Sequence, residues 1–212
     1  MPYSTPTRLA SEVATVVRRT FGDEAAVQVS DTDLLGWIND AQAEIVQRTK
    51  TLKAKSSTTS VAAQSDYTFP ALSILEVDAL HYGGVLLNNV PFSEAEQLYL
   101  GQTGTGQPQV WWEYGGTFTL WPTPPDVQTI DMYATVAPAR LTALSQTLGL
   151  PDKFFRQVVQ YVLQQAYELD EDVSAAQYKQ GQFDAGVAGF SEEERVAQHM
   201  TIETVTLLDW YE

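Results

Sequence analysis

The 212 residues carry a formal charge of −15, include no cysteine and contain only two histidines, His81 and His199. Disulfides, thiolate nucleophiles and sulfur-ligated metals are thereby excluded, and a His-rich metal site lacks ligands. The charge argues against a protein that grips phosphate, which needs clustered Lys and Arg; it leaves open a wall along which nucleic acid passes, or simple solubility.

The length suits one good core or two modest ones sharing a boundary. No stretch reaches the ~20 apolar residues of a bilayer span, and Met1-Pro2-Tyr3-Ser4 lacks a signal-peptide pattern, so the expectation is a folded, soluble protein made in a cytosol.

In chain order, a first helix is predicted to begin near Thr5-Pro6-Thr7, with Leu9, Val13, Val16, Val17 and Phe21 on one stripe and Gly22 as its stop. Ser30 and Asp33 form a capping-box-like start for a second helix, in which Leu34, Ile38, Ala41 and Ile45 share a face. Arg48, Lys50, Lys53 and Lys55 follow in a stretch, residues 45–60, without an acid. Two readings stand: a dock for phosphate or an acidic partner patch, or solvated cations complementing a helix C-terminus.

From Ser56 the period becomes that of strands. Residues 57–61 and 67–70 read as short strands around a Gln64-Ser65-Asp66 turn, and residues 74–82 as a longer strand entering a Gly83-Gly84 hairpin. Ser93 and Glu96 suggest a second capping box for a short helix over 93–100, and residues 101–108 a mobile loop. The clearest hairpin joins residues 110–114 to 117–121 through Gly115-Gly116. A further strand over 129–136 turns Ile130, Met132 and Ala134 to one side. Helix resumes at Leu150-Pro151-Asp152 with Phe155, Val158, Val159, Val162 and Ala166 on one face. The acids of residues 168–172 read as a turn, and Ser174 as the cap of a last helix carrying Ala176, Phe183, Val187 and Phe190.

The expected fold is α+β: a helical bundle from N- and C-terminal helix pairs (residues 1–55 and 150–190), an inserted small antiparallel β-sandwich or barrel lobe (56–149), and an extended C-terminal partner-binding tail (191–212). No catalytic set, metal site or cofactor is expected. Glu113 and Asp131 could imitate a glycosidase pair, but strand alternation favours solvated positions for them. The spaced glycines of residues 101–106 lack the Lys-Ser/Thr of a phosphate loop. The acids at 168–172 and 192–194 lack the spacing of a calcium loop.

Adjacent Trp111 and Trp112 must point to opposite faces of a sheet, so one of them lies outside the lobe's own core and is available to a neighbouring subunit or as a glycan-stacking platform with Trp121. Residues 201–212 are β-prone and apolar; they either return to their own body or add to a partner as a strand or hook.

Several segments together resemble the head-to-tail adaptor (head-completion, connector) proteins of tailed bacteriophages. They are Leu34-Leu35-Gly36-Trp37-Ile38-Asn39-Asp40-Ala41-Gln42, Tyr67-Thr68-Phe69-Pro70, Gly106-Gln107-Pro108 with residues 111–114, residues 118–122, and Leu150-Pro151 leading into the 158–166 helix. The resemblance covers residues 30–190 and rests on their order and spacing. The long β insertion is similar to adaptors of short-tailed phages more than to the small helical versions.

The resemblance implies a homo-oligomeric ring, commonly twelve-fold, in the virion neck, assembled in the host cytoplasm. It would sit under the portal protein ring, extend the channel through which genomic DNA passes without specific binding, and dock a tail or nozzle protein. Portal contact would fall to Ile202, Val205, Leu207, Leu208, Trp210 and Tyr211. Tail-docking or intersubunit contact would fall to Gln102, Thr103, Thr105, Gln107, Trp111 and Trp112. The rival expectation is a virion-associated glycan- or receptor-binding module.

Overall fold

A computed structural model describes residues 6–99 and 101–208, with 191–208 as backbone only. The elements run α1 (Ala10–Phe21), α2 (Asp31–Thr49), β1 (Lys53–Thr59), β2 (Asp66–Thr68), β3 (Ile74–Tyr82), β4 (Val85–Leu86), β5 (Asn88–Asn89), α3 (Phe92–Leu98), β6 (Val110–Tyr114), β7 (Thr117–Trp121), β8 (Thr129–Val136), a 3-10 turn (Asp152–Phe154), α4 (Phe155–Leu169) and α5 (Val173–Leu208). The fold is α+β. Two compact units emerge: Met1–Lys50 with Pro138–Glu212, and Thr51–Ala137. Among the described residues no helix is long and apolar enough to cross a membrane.

In the helical unit α1 begins at Ala10, later than the proline-led start expected near residue 6. The reason is that the preceding residues are held extended. The Asp152 carboxylate accepts from the backbone N–H and hydroxyl of Thr7, Leu9 bridges to Thr147, and Ala10 N donates to Gln146 O at 3.0 Å. Val13 and Val17 are buried as their spacing predicts, whereas Val16 is 38% exposed. Gly22 closes the helix, donating its N–H to Arg18 O. In the α1–α2 connection the Asp23 carboxylate accepts from the backbone N–H groups of Val27, Gln28 and Val29. Ser30 caps α2 as expected, its Oγ accepting from Asp33 N at 3.1 Å, and Leu34, Ile38, Ala41 and Ile45 are all fully buried.

The returning chain is fastened to α2 by two amides. Asn39 Oδ1 accepts from Leu141 N at 2.8 Å while its Nδ2 donates to Leu141 O at 3.0 Å, and Gln42 Oε1 accepts from Gly149 N at 2.6 Å. Helix α4 then packs against α1, α2 and α5, burying Val158, Val162 and Ala166 completely. Of the acids of 168–172, expected to form a turn, Glu168 still belongs to α4, and the turn is made by Asp170 and Glu171, the latter at φ 60°. Asp172, rather than Ser174, caps α5: its carboxylate accepts from Ala175 N at 3.0 Å, because the turn leaves this acid one step ahead of the first helical amides. Ala176, Phe183 and Val187 are buried, with Phe190 half-buried. The expectation of an extended tail from residue 191 is corrected, since α5 runs to Leu208 without a break. The helix-forming Glu192-Glu193-Glu194-Arg195 stretch that begins the tail favours continuation over the β-branched residues behind it.

In the second unit the sheets have strand orders β1-β8-β3-β4 and β2-β7-β6-β5, antiparallel except for the β5–β6 pair. They share one core, in which Leu80, Tyr82, Ile130, Met132 and Ala134 of the first sheet meet Tyr67, Trp111, Phe118 and Leu120 of the second. Two open sheets form this lobe, and among the described residues no barrel closes. Both hairpins turn on glycine pairs, Gly83-Gly84 (φ 55° and 84°) and Gly115-Gly116 (φ 60° and 82°), since two successive positive φ angles match the twist of the flanking strands. The strands expected around the Gln64-Ser65-Asp66 turn do form but do not pair: β1 joins β8 and β2 joins β7. Alternation explains this, because Ile130, Met132 and Ala134 give β8 the strongest buried face and draw β1 and β3 to its two edges.

Trp111 enters the shared core at 2% exposure. Trp112 points to the other face, as its neighbour's position demands, but is covered by the chain itself: at 6% exposure it clusters with Val90 and Ala95, flanked by Phe92, Tyr99 and Trp121. The expectation that one of the pair is left for a partner is therefore corrected. Helix α3 is the missing cover, and it starts at Phe92 with no side-chain cap, so the Ser93–Glu96 box does not form.

Trp111→Ala and Trp112→Ala should each cost about 3–5 kcal/mol in denaturant unfolding; a loss under about 1 kcal/mol at Trp112 would mean that α3 does not cover it. Asp23 is held below the ordinary aspartate range, first by the N–H of Val29, then by those of Val27 and Gln28 and the charge of Arg18. A depressed folded-state pKa gives stabilisation that is complete above the unfolded value of about 3.9 and is lost as pH falls through the lower folded value. Asp23→Asn should thus lower the urea midpoint at pH 7, with the gap from the natural protein closing in acid; a gap that stays constant from pH 7 to acid would refute the role given to the ionised carboxylate.

Candidate interaction surfaces

Strand β6 carries Trp112 and Tyr114 on the face away from the shared core, and α3 lays Phe92 and Tyr99 over them. The Phe92 and Tyr114 rings stack with centroids 4.2 Å apart, and the Tyr99 ring lies 6.0 Å from both Trp112 and Trp121. Between them opens a groove of about 480 Å³, whose polar lining includes Asp66, Gln102, Thr117 and Thr119. Tyr114, at 65% exposure, is its most accessible ring.

The loop after α3 borders this groove. Gln102, Thr103, Thr105 and Gln107 are all exposed, as a contact loop requires. The loop is also tied down: Thr105 bridges to Thr123, Thr123 N donates to Gly104 O at 2.9 Å and Gly106 N to Thr123 O at 3.0 Å. Gly104 lies against the Trp121 ring so closely that a Cβ there would come within 2.9 Å of its Cη2. The four polar residues therefore project from a bridged platform, whereas Trp111 and Trp112, expected beside them as contact residues, are buried in two different clusters.

At the other end of the chain, Ile202, Val205, Leu207 and Leu208 lie on the helical backbone of α5. Trp210 and Tyr211 lie outside the described residues.

The basic residues after α2 are engaged within the chain. Arg48 meets Glu44 at 2.6 Å and Asp184 at 2.5 Å, and its pKa is raised chiefly by Asp184. Lys53 meets Asp78 at 2.8 Å, and Lys55 meets Asp131 at 3.1 Å. Lys50 ends α2 in the left-handed conformation. These pairings leave Arg48, Lys53 and Lys55 without the free charge that a phosphate dock needs.

The two carboxylates considered for glycoside chemistry lie in different sheets. Asp131 is held below the ordinary aspartate range, first by the Ser57 hydroxyl and then by Lys55, the opposite of what a general acid requires. Glu113 is exposed on β6, in the other sheet. Among the described residues no group of three or more His, Cys, Asp or Glu could hold a metal ion.

Sequence reasoning missed Asn39 and Gln42 as the residues that fasten the returning chain. Both lie inside the Leu34–Gln42 stretch that carries the resemblance to adaptors, where two amides on a helix otherwise hydrophobic on one face were the available signal.

No curated protein matches this chain. The family described as SU10 adaptor protein matches it over residues 8–204, through both the helical unit and the β lobe. The chain therefore belongs to the SU10 adaptor protein family, as a bacteriophage head-to-tail adaptor.

Proposed function

We propose that the protein assembles as a ring, twelve-fold by the family resemblance, in the neck of the virion, where it extends the DNA channel beneath the portal and docks a tail or nozzle protein. The observation that carries this reading is the family match across residues 8–204, which takes in the inserted lobe as well as the helical unit. As a phage adaptor the protein is a component of the virion and meets other phage structural proteins.

The electrostatics support a passage that does not bind DNA. The net charge is −15, and residues 151–212 hold 12 acids against 4 bases, a local balance of −8. A wall of that sign repels phosphate.

In this reading the last turns of α5, with Ile202, Val205, Leu207 and Leu208 and then Trp210 and Tyr211, contact the portal. The bridged loop with Gln102, Thr103, Thr105 and Gln107 faces the tail or the next subunit. The glycan-binding alternative loses its main support, because Trp111 and Trp112 are buried instead of forming a stacking platform.

The test is reconstitution. Native mass measurement of the purified protein with its cognate portal ring should give a complex of defined stoichiometry. Deleting residues 201–212 should abolish that complex while leaving the circular dichroism and melting temperature of the remainder nearly unchanged. Undiminished portal binding by the truncated chain would remove the terminal segment from the contact, and failure of the full chain to bind the portal at all would overturn the reading.

A further inference from the structure

Four strands end the two sheets, β1 and β4 of one and β2 and β5 of the other, and because β4 pairs only with His81 and Tyr82, residues 74–79 of β3 are open as well. Proteins blunt such edges, commonly by keeping them short. Here β4 and β5 have two residues each and β2 has three. Strand β1 has seven, Lys-Ala-Lys-Ser-Ser-Thr-Thr, with neither a proline nor a bulge in its register with β8.

The register fixes which backbone groups of β1 are unused. Val136 N donates to Leu52 O and Ser60 N to Gln128 O, so the even-numbered residues of β1 exchange hydrogen bonds with β8. In an antiparallel ladder the alternate residues direct their N–H and C=O groups to the opposite side. Those residues are Lys53, Lys55, Ser57 and Thr59, whose side chains are all exposed. The two lysines, the usual guards of an edge, are drawn onto the face of their own sheet by Asp78 and Asp131.

We propose that two copies of the free protein associate through β1, antiparallel about Ser56, to make one continuous eight-stranded sheet. A second copy is the occupant because the strand complements itself, whereas the other long open stretch, residues 74–79 of β3, is interrupted by register shifts between Ile74 and Glu76 and between Val77 and Ala79. Pairing about Ser56 sets Lys53 opposite Thr59 and Lys55 opposite Ser57. All four outward-facing residues then form hydrogen-bonded pairs, about eight bonds in all at two per pair, and no like charges are opposed. Shifting the centre to Lys55 would oppose the two copies of that lysine, which is destabilising; shifting it to Ser57 would lose a pair. On the inner side Ala54 meets Thr58 and Ser56 meets itself, small side chains that allow close approach.

The contact is isologous and closes on two copies, whereas neighbours around a ring of cyclic symmetry meet through heterologous surfaces. It is thus a state of the free protein, covering the β1 edge before assembly, and is independent of the portal contact.

The experiment uses the full chain in sedimentation velocity from about 1 to 100 μM, with hydrogen exchange at both ends of that range. A concentration-dependent dimer is expected, with the amides of Lys53, Lys55, Ser57 and Thr59 slowed only at high concentration. Ser57→Pro removes an outward N–H that β1 does not use for β8, and should weaken association at least about tenfold while far-UV circular dichroism stays native. Ser57→Lys would set a lysine opposite Lys55 of the partner copy and should weaken association likewise; adding Lys55→Glu should restore it, which a general loss of fold would not do. A monomer throughout the range with these amides exchanging freely, or a dimer unaffected by both Ser57 variants, overturns the proposal.

Discussion

The helical unit depends on burial of one stripe, the Val158-Val162-Ala166 face of α4. The segments that form this unit are separated in sequence by the whole of the β lobe, and α4 is the element on which α1, α2 and α5 all pack. Fully burying an aliphatic side chain contributes about 1.5–3 kcal/mol, and a fifteen-residue helix such as α4 is marginal without that contribution. Hydrophobic burial is not directional, however, and would tolerate the returning chain at more than one position along α2. Asn39 and Gln42 remove that freedom, since Asn39 both accepts from and donates to the backbone of Leu141 and Gln42 accepts from Gly149 N.

The lobe obeys a constraint of another kind, the two-residue alternation of a strand. With Ile130, Met132 and Ala134 committed inward, β8 must turn Asp131, Tyr133 and Thr135 outward, and these become partners for Lys55 and Lys53 of β1. The same rule applied to β6 separates Trp111 from Trp112 and creates an apolar outer face that would be costly to leave in water. Helix α3 answers that cost with Ala95, Phe92 and Tyr99. One sheet thus supports two cores, and the aromatic groove is the seam between the helix and the strands it covers.

Elements written in local chemistry were legible in the sequence. The Ser30 cap, the fully buried face of α2, the Gly115-Gly116 hairpin and the inward set of β8 all depend on residues a few positions apart. Features set by distant partners were not. The late start of α1 depends on Asp152 and on residues 144–148, and the separation of β1 from β2 on competition for β8. The cover over Trp112 comes from a short helix whose apparent Ser93 cap is unused. The exposed positions of Gln102, Thr103, Thr105 and Gln107 could be read from their polarity and the surrounding glycines, but the bridge from Thr105 to Thr123 spans a hairpin and left no local mark. In the tail the β-branched residues suggested an extended chain, while the acidic, helix-forming stretch ahead of them continues α5.

Charge narrows the ways in which this chain can associate. Arg8, Arg18, Arg48, Lys53 and Lys55 are each held by a carboxylate of the chain. Such exposed pairs contribute little to stability, but they withdraw cations that might otherwise attract phosphate or an acidic partner, and the remaining excess is negative. Two like-charged copies approaching each other gain nothing from that excess and are opposed by it within about 10 Å at ordinary salt. That repulsion favours contacts between copies through groups that carry no net charge, whether apolar side chains, neutral polar side chains or backbone amides. The exposed loop after α3 offers neutral polar side chains, and β1 offers a row of unused backbone groups beside lysines already neutralised by Asp78 and Asp131. That neutralisation permits close approach of a second strand where bare lysines would prevent it.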